Sequence, residues 1–180
     1  GAISISGNLD INALQQALSE IVCRHEILRT SFPTVNGTPI QVIHPQTTMN
    51  IKVVDLQQLE VTERETVLQQ QAQLEAITPF ALEIAPLIRC SLVQLYAREY
   101  VLLLSMHHII SDGWSIGVFI QELSSLYQAS CAGEPSPLPE LPIQYADFAV
   151  WQRQWLSGEV LKTQLNYWLS QLDGVPELLR

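Results

Sequence analysis

Positive charge is scarce in this sequence: nine Lys and Arg stand against eighteen Asp and Glu, a formal net charge of −9 over 180 residues. That shortage argues against a nucleic-acid partner or an anionic membrane surface, because both need clustered cations. Cysteine is sparse as well. Cys23, Cys90 and Cys131 are odd in number and far apart, which supports neither a secreted disulfide framework nor a zinc site. Cys23 and Cys90 fall within apolar patterns and read as buried free thiols. No strongly apolar run exceeds Val101 to Met106, too short to span a bilayer. The opening Gly-Ala-Ile-Ser has no basic n-region or apolar h-region, so no signal peptide is expected. It also lacks an initiator Met, and the chain reads as a piece of something longer. No Gly-x-Gly-x-x-Gly follows an expected strand, which argues against a dinucleotide-type parallel sheet. These absences fit a cytoplasmic protein with no membrane segment, no metal and no tightly bound cofactor.

What is present suits a packed globular body: 47% of residues are apolar and only 15% charged, in a length typical of one domain. Ala2 to Ser6 alternates as a strand. Asp10 is a natural N-cap for a helix whose stripe Leu14, Ala17, Leu18, Ile21 and Val22 runs on through His25 and Leu28. Leu28 to Phe32 and Pro39 to His44 bracket Asn36-Gly37 and predict a hairpin with a loop longer than two residues. Ile51 to Val54 adds a short strand. Thr62 and Glu65 match a capping box opening a helix over about 63–76, which Pro79 stops. Leu87 to Leu95 and Tyr100 to Met106 predict a second hairpin around Ala97-Arg98-Glu99, its second strand apolar enough to be central. A helix over about 114–129, a proline-rich connection from Glu134 to Pro142, and helices near 143–156 and 160–171 complete the chain. The fold class expected is α/β, a two-layer sandwich with a largely antiparallel mixed sheet.

The segment richest in chemistry is Met106-His107-His108-Ile109-Ile110-Ser111-Asp112-Gly113-Trp114-Ser115, where a buried strand gives way to a helix. A histidine titrating near neutrality can take a proton from an attacking amine or hydroxyl. Spacing alone does not make Asp112 the partner of His108; the carboxylate can equally bind an arginine and pin the loop. Gly113 permits a sharp turn and leaves open space, and the amides opening the next helix can favour developing negative charge. Adjacent strand-end histidines point to opposite faces, so only one should enter a given cleft. Taken alone, such pairs are more often structural than catalytic, and an Asp-Gly is usually a turn. Arg24, Glu26 and Arg29 read by default as a solvated helix end. Ser115 lacks the Gly-x-Ser-x-Gly elbow of a nucleophile. Tyr145, Phe148, Trp151, Trp155 and Trp168 read as core.

Three segments together change that weighting. His-His-x-x-x-Asp-Gly at His107 to Gly113, Arg24-His25-Glu26-Ile27-Leu28-Arg29-Thr30-Ser31-Phe32, and Tyr145-Ala146-Asp147-Phe148-Ala149-Val150-Trp151 resemble the motifs of nonribosomal peptide synthetase condensation domains, in the family's order along the chain. The resemblance implies a chloramphenicol acetyltransferase-like lobe. Full domains of that family pair two such lobes around a tunnel, and these 180 residues match the N-terminal one; the family's opening motif and its second-lobe motifs are absent. It further implies amide bond formation between aminoacyl or peptidyl thioesters, with His108 catalytic. His107, Asp112, Gly113, Arg24 and Arg29 would support it, Asp112 pairing first with Arg24 and second with Arg29. Phosphopantetheine arms would be delivered by donor and acceptor peptidyl carrier proteins, beside a second lobe and a neighbouring adenylation domain. The lobe alone is not expected to be active. A related acyltransferase using coenzyme A thioesters and a non-catalytic docking lobe are the competing readings. An epimerase-type relative fits the Ser-Asp-Gly-Trp-Ser continuation less well, and a cyclising one would carry Asp in place of His107.

Overall fold

Ala2–Ser6 forms β1 in the computed structural model, which describes residues 1–47 and 49–176. Asp10 then caps α1 (Ile11–Arg24), its carboxylate accepting from the amides of Asn12 and Ala13 at 2.9 and 3.0 Å. The expected stripe is buried on that helix: Leu14, Ala17, Leu18, Ile21 and Val22. Cys23 lies one step off the stripe and is exposed, contrary to expectation, whereas Cys90 is buried.

Leu28 lies in a short 3-10 turn (Glu26–Arg29), not in a strand. Two small ladders follow. Thr30–Ser31 (β2) pairs with Val42–Ile43 (β5), and Thr34–Val35 (β3) with Thr38–Pro39 (β4). The inner turn is therefore Asn36-Gly37 alone, shorter than expected. Both residues have positive φ, 51° and 78°, as the twist of a two-residue hairpin requires. After β6 (Lys52–Asp55), α2 (Val61–Ile77) starts at Glu60 rather than Thr62, without a side-chain cap. Arg64 explains the earlier start. Its guanidinium donates to the carbonyls of Leu56, Gln57 and Leu59, drawing the preceding turn onto the first helical turn.

The sheet is completed by β7 (Ile88–Tyr96) and β8 (Glu99–Met106), in the order β1-β8-β7-β6. Only β6–β7 is parallel. The strand read as central is indeed internal and apolar on both sides. Leu102 and Leu104 meet the main core under α1 and α3 (Gly113–Ala132), while Leu103 joins Leu56 and Val93 under α2. The mostly antiparallel α/β sandwich is present, with α2 giving the second face partial cover.

The chain forms two compact units, Gly1–Leu141 and Pro142–Arg180. In the second, α4 (Tyr145–Trp155) and α5 (Gly158–Gln171) have no sheet of their own to bury side chains against. The aromatic residues expected in a core stay exposed: Tyr145, Phe148, Trp151, Trp155 and Trp168. The first four stack along α4 with centroids 5.6–5.8 Å apart. Among the described residues, no helix is long and apolar enough to cross a membrane.

Candidate active site

β8 ends at Met106 because the chain turns there: the Ile110 amide donates to the His107 carbonyl at 3.0 Å. With pleating interrupted, the two histidines do not split between faces as strand geometry predicts. Both line one cleft of about 780 Å³, walled by the end of β8, by Glu75 to Phe80, by Arg89 and by Ile116 and Ile120 of α3. Their situations still differ. His107 is half-buried; its Nδ1 accepts the Ile109 amide at 3.0 Å, and its ring meets Phe80 edge-on at 6.1 Å. His108 is exposed at the cleft and makes no hydrogen bond among the described residues. An Nδ1 that accepts an amide carries no proton, so His107 is held as the neutral Nε2–H tautomer.

Asp112 does not pair with Arg24 or Arg29. It is the N-cap of α3, accepting from the Ser115 amide and hydroxyl, both at 2.8 Å, while its own amide donates to Ser115 Oγ at 2.7 Å. A carboxylate at a strand–helix junction finds the orphan amides of the next helix nearer than any distant cation. Those hydrogen bonds, with a smaller contribution from His108, hold its carboxyl below the usual aspartate range. The helix start expected to receive developing negative charge is thus already occupied by an anion. Gly113 opens α3 without positive φ, and a Cβ there would meet nothing in this chain.

The arginines are engaged elsewhere. Arg24 Nε lies 3.3 Å from Glu122 Oε1, and His25 Nε2 2.6 Å from Glu122 Oε2, joining the end of α1 to the middle of α3. Arg29 donates to the His44 carbonyl and lies 3.4 Å from Glu26. Residue patterns did not flag the opposite wall of the cleft, made of Glu75, Phe80 and Arg89. The available signal was a lone cation inside the apolar run Leu87-Ile88-Arg89-Cys90.

This combination, a double histidine at a strand end opening on a cleft beside a capped helix in a mostly antiparallel α/β sandwich, defines an acyltransferase-like class. A family model described as the condensation domain matches residues 1–179. Over 178 residues the chain is 51% identical to part of the linear gramicidin synthase of Brevibacillus parabrevis and 47% identical to the malpinin synthetase of Mortierella alpina. Each match covers 99% of this chain but only 4% and 2% of those much longer proteins. Among solved structures, the X-domain from teicoplanin biosynthesis superposes with a TM-score of 0.85 at 32% identity, over 97% of this chain and 38% of that one. The chain belongs to the condensation-domain family, and its fold is the chloramphenicol acetyltransferase-like one.

Proposed function

We propose that this chain is the N-terminal lobe of a condensation domain that forms an amide bond between two carrier-bound thioesters in nonribosomal peptide synthesis. The observation carrying the proposal is His108, exposed on the cleft, within an intact His-His-x-x-x-Asp-Gly motif. The amine of the acceptor aminoacyl thioester attacks the carbonyl carbon of the donor thioester. The C–N bond forms as the C–S bond breaks, and the donor's thiolate leaves. His108 takes the proton released by the amine and returns it to the thiolate, so no covalent enzyme intermediate is needed. His107, Asp112 and Gly113 act through shape: His107 ties the turn, Asp112 caps α3, and Gly113 leaves the space above the helix start open. Arg24 and Arg29 brace the same end of the molecule. Much of the acceleration comes from holding the two thioesters together, which orientation alone can make worth about 7–11 kcal/mol.

Both substrates arrive on phosphopantetheine arms of donor and acceptor carrier domains, and the remaining lobe supplies the rest of the tunnel. The test supplies the full-length domain containing this chain with donor and acceptor aminoacyl carriers and follows dipeptidyl thioester by mass spectrometry. Product is expected, with loss on His108→Ala and almost none from the 180-residue chain alone. A full-length domain that is inactive, or unaffected by His108→Ala, would favour a docking lobe instead. Transfer from free coenzyme A thioesters at equal rate would point to the related acyltransferase class.

A further inference from the structure

Arg89 is a lone cation facing the α2 side of the sheet, and the register sets it opposite Ser105, two residues before His107. Its guanidinium is almost fully used. Nε lies 3.3 Å from Glu75 Oε2, Nη1 donates to the Pro79 carbonyl at 3.2 Å, and Nη2 donates to the carbonyls of Glu75 and Thr78 at 3.2 and 2.7 Å. Three of these acceptors are main-chain oxygens at or just beyond the C-terminal end of α2, where helix carbonyls lack partners and negative potential collects. Ser91 and Ser105 complete the cluster, donating to Glu75 Oε1 at 2.7 Å and to the Glu75 carbonyl at 3.4 Å.

The same guanidinium stacks on Phe80 at 3.8 Å from the ring centroid, and Phe80 meets His107 edge to face at 88°. His107 in turn ties the Ile109 amide to its Nδ1, closing a loop of chain around His108. A continuous line of contacts therefore runs from Arg89 through Phe80 and His107 to the turn that carries His108.

We infer that Arg89 is a positioning residue for the cleft: it fixes the end of α2 and the Phe80 ring, and through them the imidazole of His107 and the direction in which His108 is presented. Lysine cannot substitute, because a single ammonium offers three donors from one point and cannot span four acceptors while stacking flat on a ring. The inference rests on the proposed function for its kinetic half and stands apart from it for its spectroscopic half.

The experiment uses the full-length domain. Arg89→Ala, Arg89→Lys and Phe80→Leu are compared in the dipeptidyl-thioester assay, and the histidine ring nitrogens are read by long-range ¹H–¹⁵N correlation. Arg89→Ala should lower kcat by about 10²-fold with KM for either carrier nearly unchanged, the scale expected for misplacement by about an ångström. Arg89→Lys should fail to restore it, and Phe80→Leu should lose part of it. In the unaltered domain His107 should show the neutral Nε2–H tautomer, and each variant should mix in the other tautomer. If Arg89→Ala does not fold, Phe80→Leu and Arg89→Lys carry both readouts. A folded variant with unchanged kcat and an unchanged His107 spectrum overturns the inference. A changed spectrum in a domain whose activity ignores His108→Ala would overturn the proposed function and leave the positioning of His107 standing.

Discussion

The two faces of the β-sheet are covered by different means. Under α1 and α3 the cover is apolar throughout: Leu14, Leu18, Ile21, Phe119, Leu123 and Leu126 close on Ile88, Leu92, Leu102 and Leu104. Under α2 only Leu56, Val93 and Leu103 are buried as a cluster, and nearer the cleft the packing becomes polar, with Arg89, Ser91 and Glu75 bonded together. Cys90, on the first face, shows how dry that side is. Burial first, and the charge of Glu75 second, push its thiol up to about 12. Each face thus builds a different property. Bulk stability resides on the apolar face, and the fixed geometry that the cleft needs resides on the polar one, where hydrogen bonds define positions more narrowly than apolar contact does.

The largest test of that division uses neighbours on one strand. Leu102 and Leu103 are 1% and 3% exposed and face opposite sides. Leu102→Ala should cost about 4 kcal/mol by chemical denaturation and Leu103→Ala about 2 kcal/mol, because the partly covered face can relax into the space. Equal losses would erase the distinction. Arg64 comes next. It anchors the β6–α2 turn through three carbonyls and stacks at 4.2 Å on Tyr96. Arg64→Leu should cost about 1.5–3 kcal/mol, as expected for losing hydrogen bonds from a charged donor. A neutral result would mean that α2 is held by its apolar contacts alone.

Smaller still, Ser91→Ala removes one hydrogen bond to Glu75 and should cost about 1 kcal/mol in the same titration, while lowering kcat more than that loss of stability suggests. The smallest effect concerns Asp112, exposed at the boundary of the two faces. Its carboxyl is held below the usual range by bonds present only in the folded chain. Its stabilising contribution is therefore complete above the unfolded aspartate value and is lost as pH falls through the folded one. Asp112→Asn should lower Tm modestly at pH 7, and the gap to the unaltered protein should close in strong acid. A gap independent of pH would show that the capping geometry, not the charge, is what matters.

Much was legible from local pattern. The stripe of α1, its Asp10 cap, the helix opening at Gly113 and the central character of β8 each rest on residues within one or two turns of each other, where 3.6-residue or two-residue periodicity and neighbouring caps act directly. Errors arose where contacts across the structure outweighed those signals. Thr62 and Glu65 formed a plausible capping box, yet Arg64, reaching back to the turn, moved the start of α2. The aromatic residues of α4 had a helical stripe but no partner sheet within their unit.

The sequence alone determined the element order, the class of fold and the residues bearing chemistry, because periodicity, capping and the double-histidine motif are properties of short stretches of chain. Only the tertiary structure decided the partners. It set Glu122 against Arg24, 98 positions away, left Asp112 to Ser115, brought both histidines into one cleft, and placed Arg89 behind Phe80. Pairing between elements depends on register and on how helices are set over the sheet. Those are fixed by the packing of the whole core, so no local stretch of residues records them.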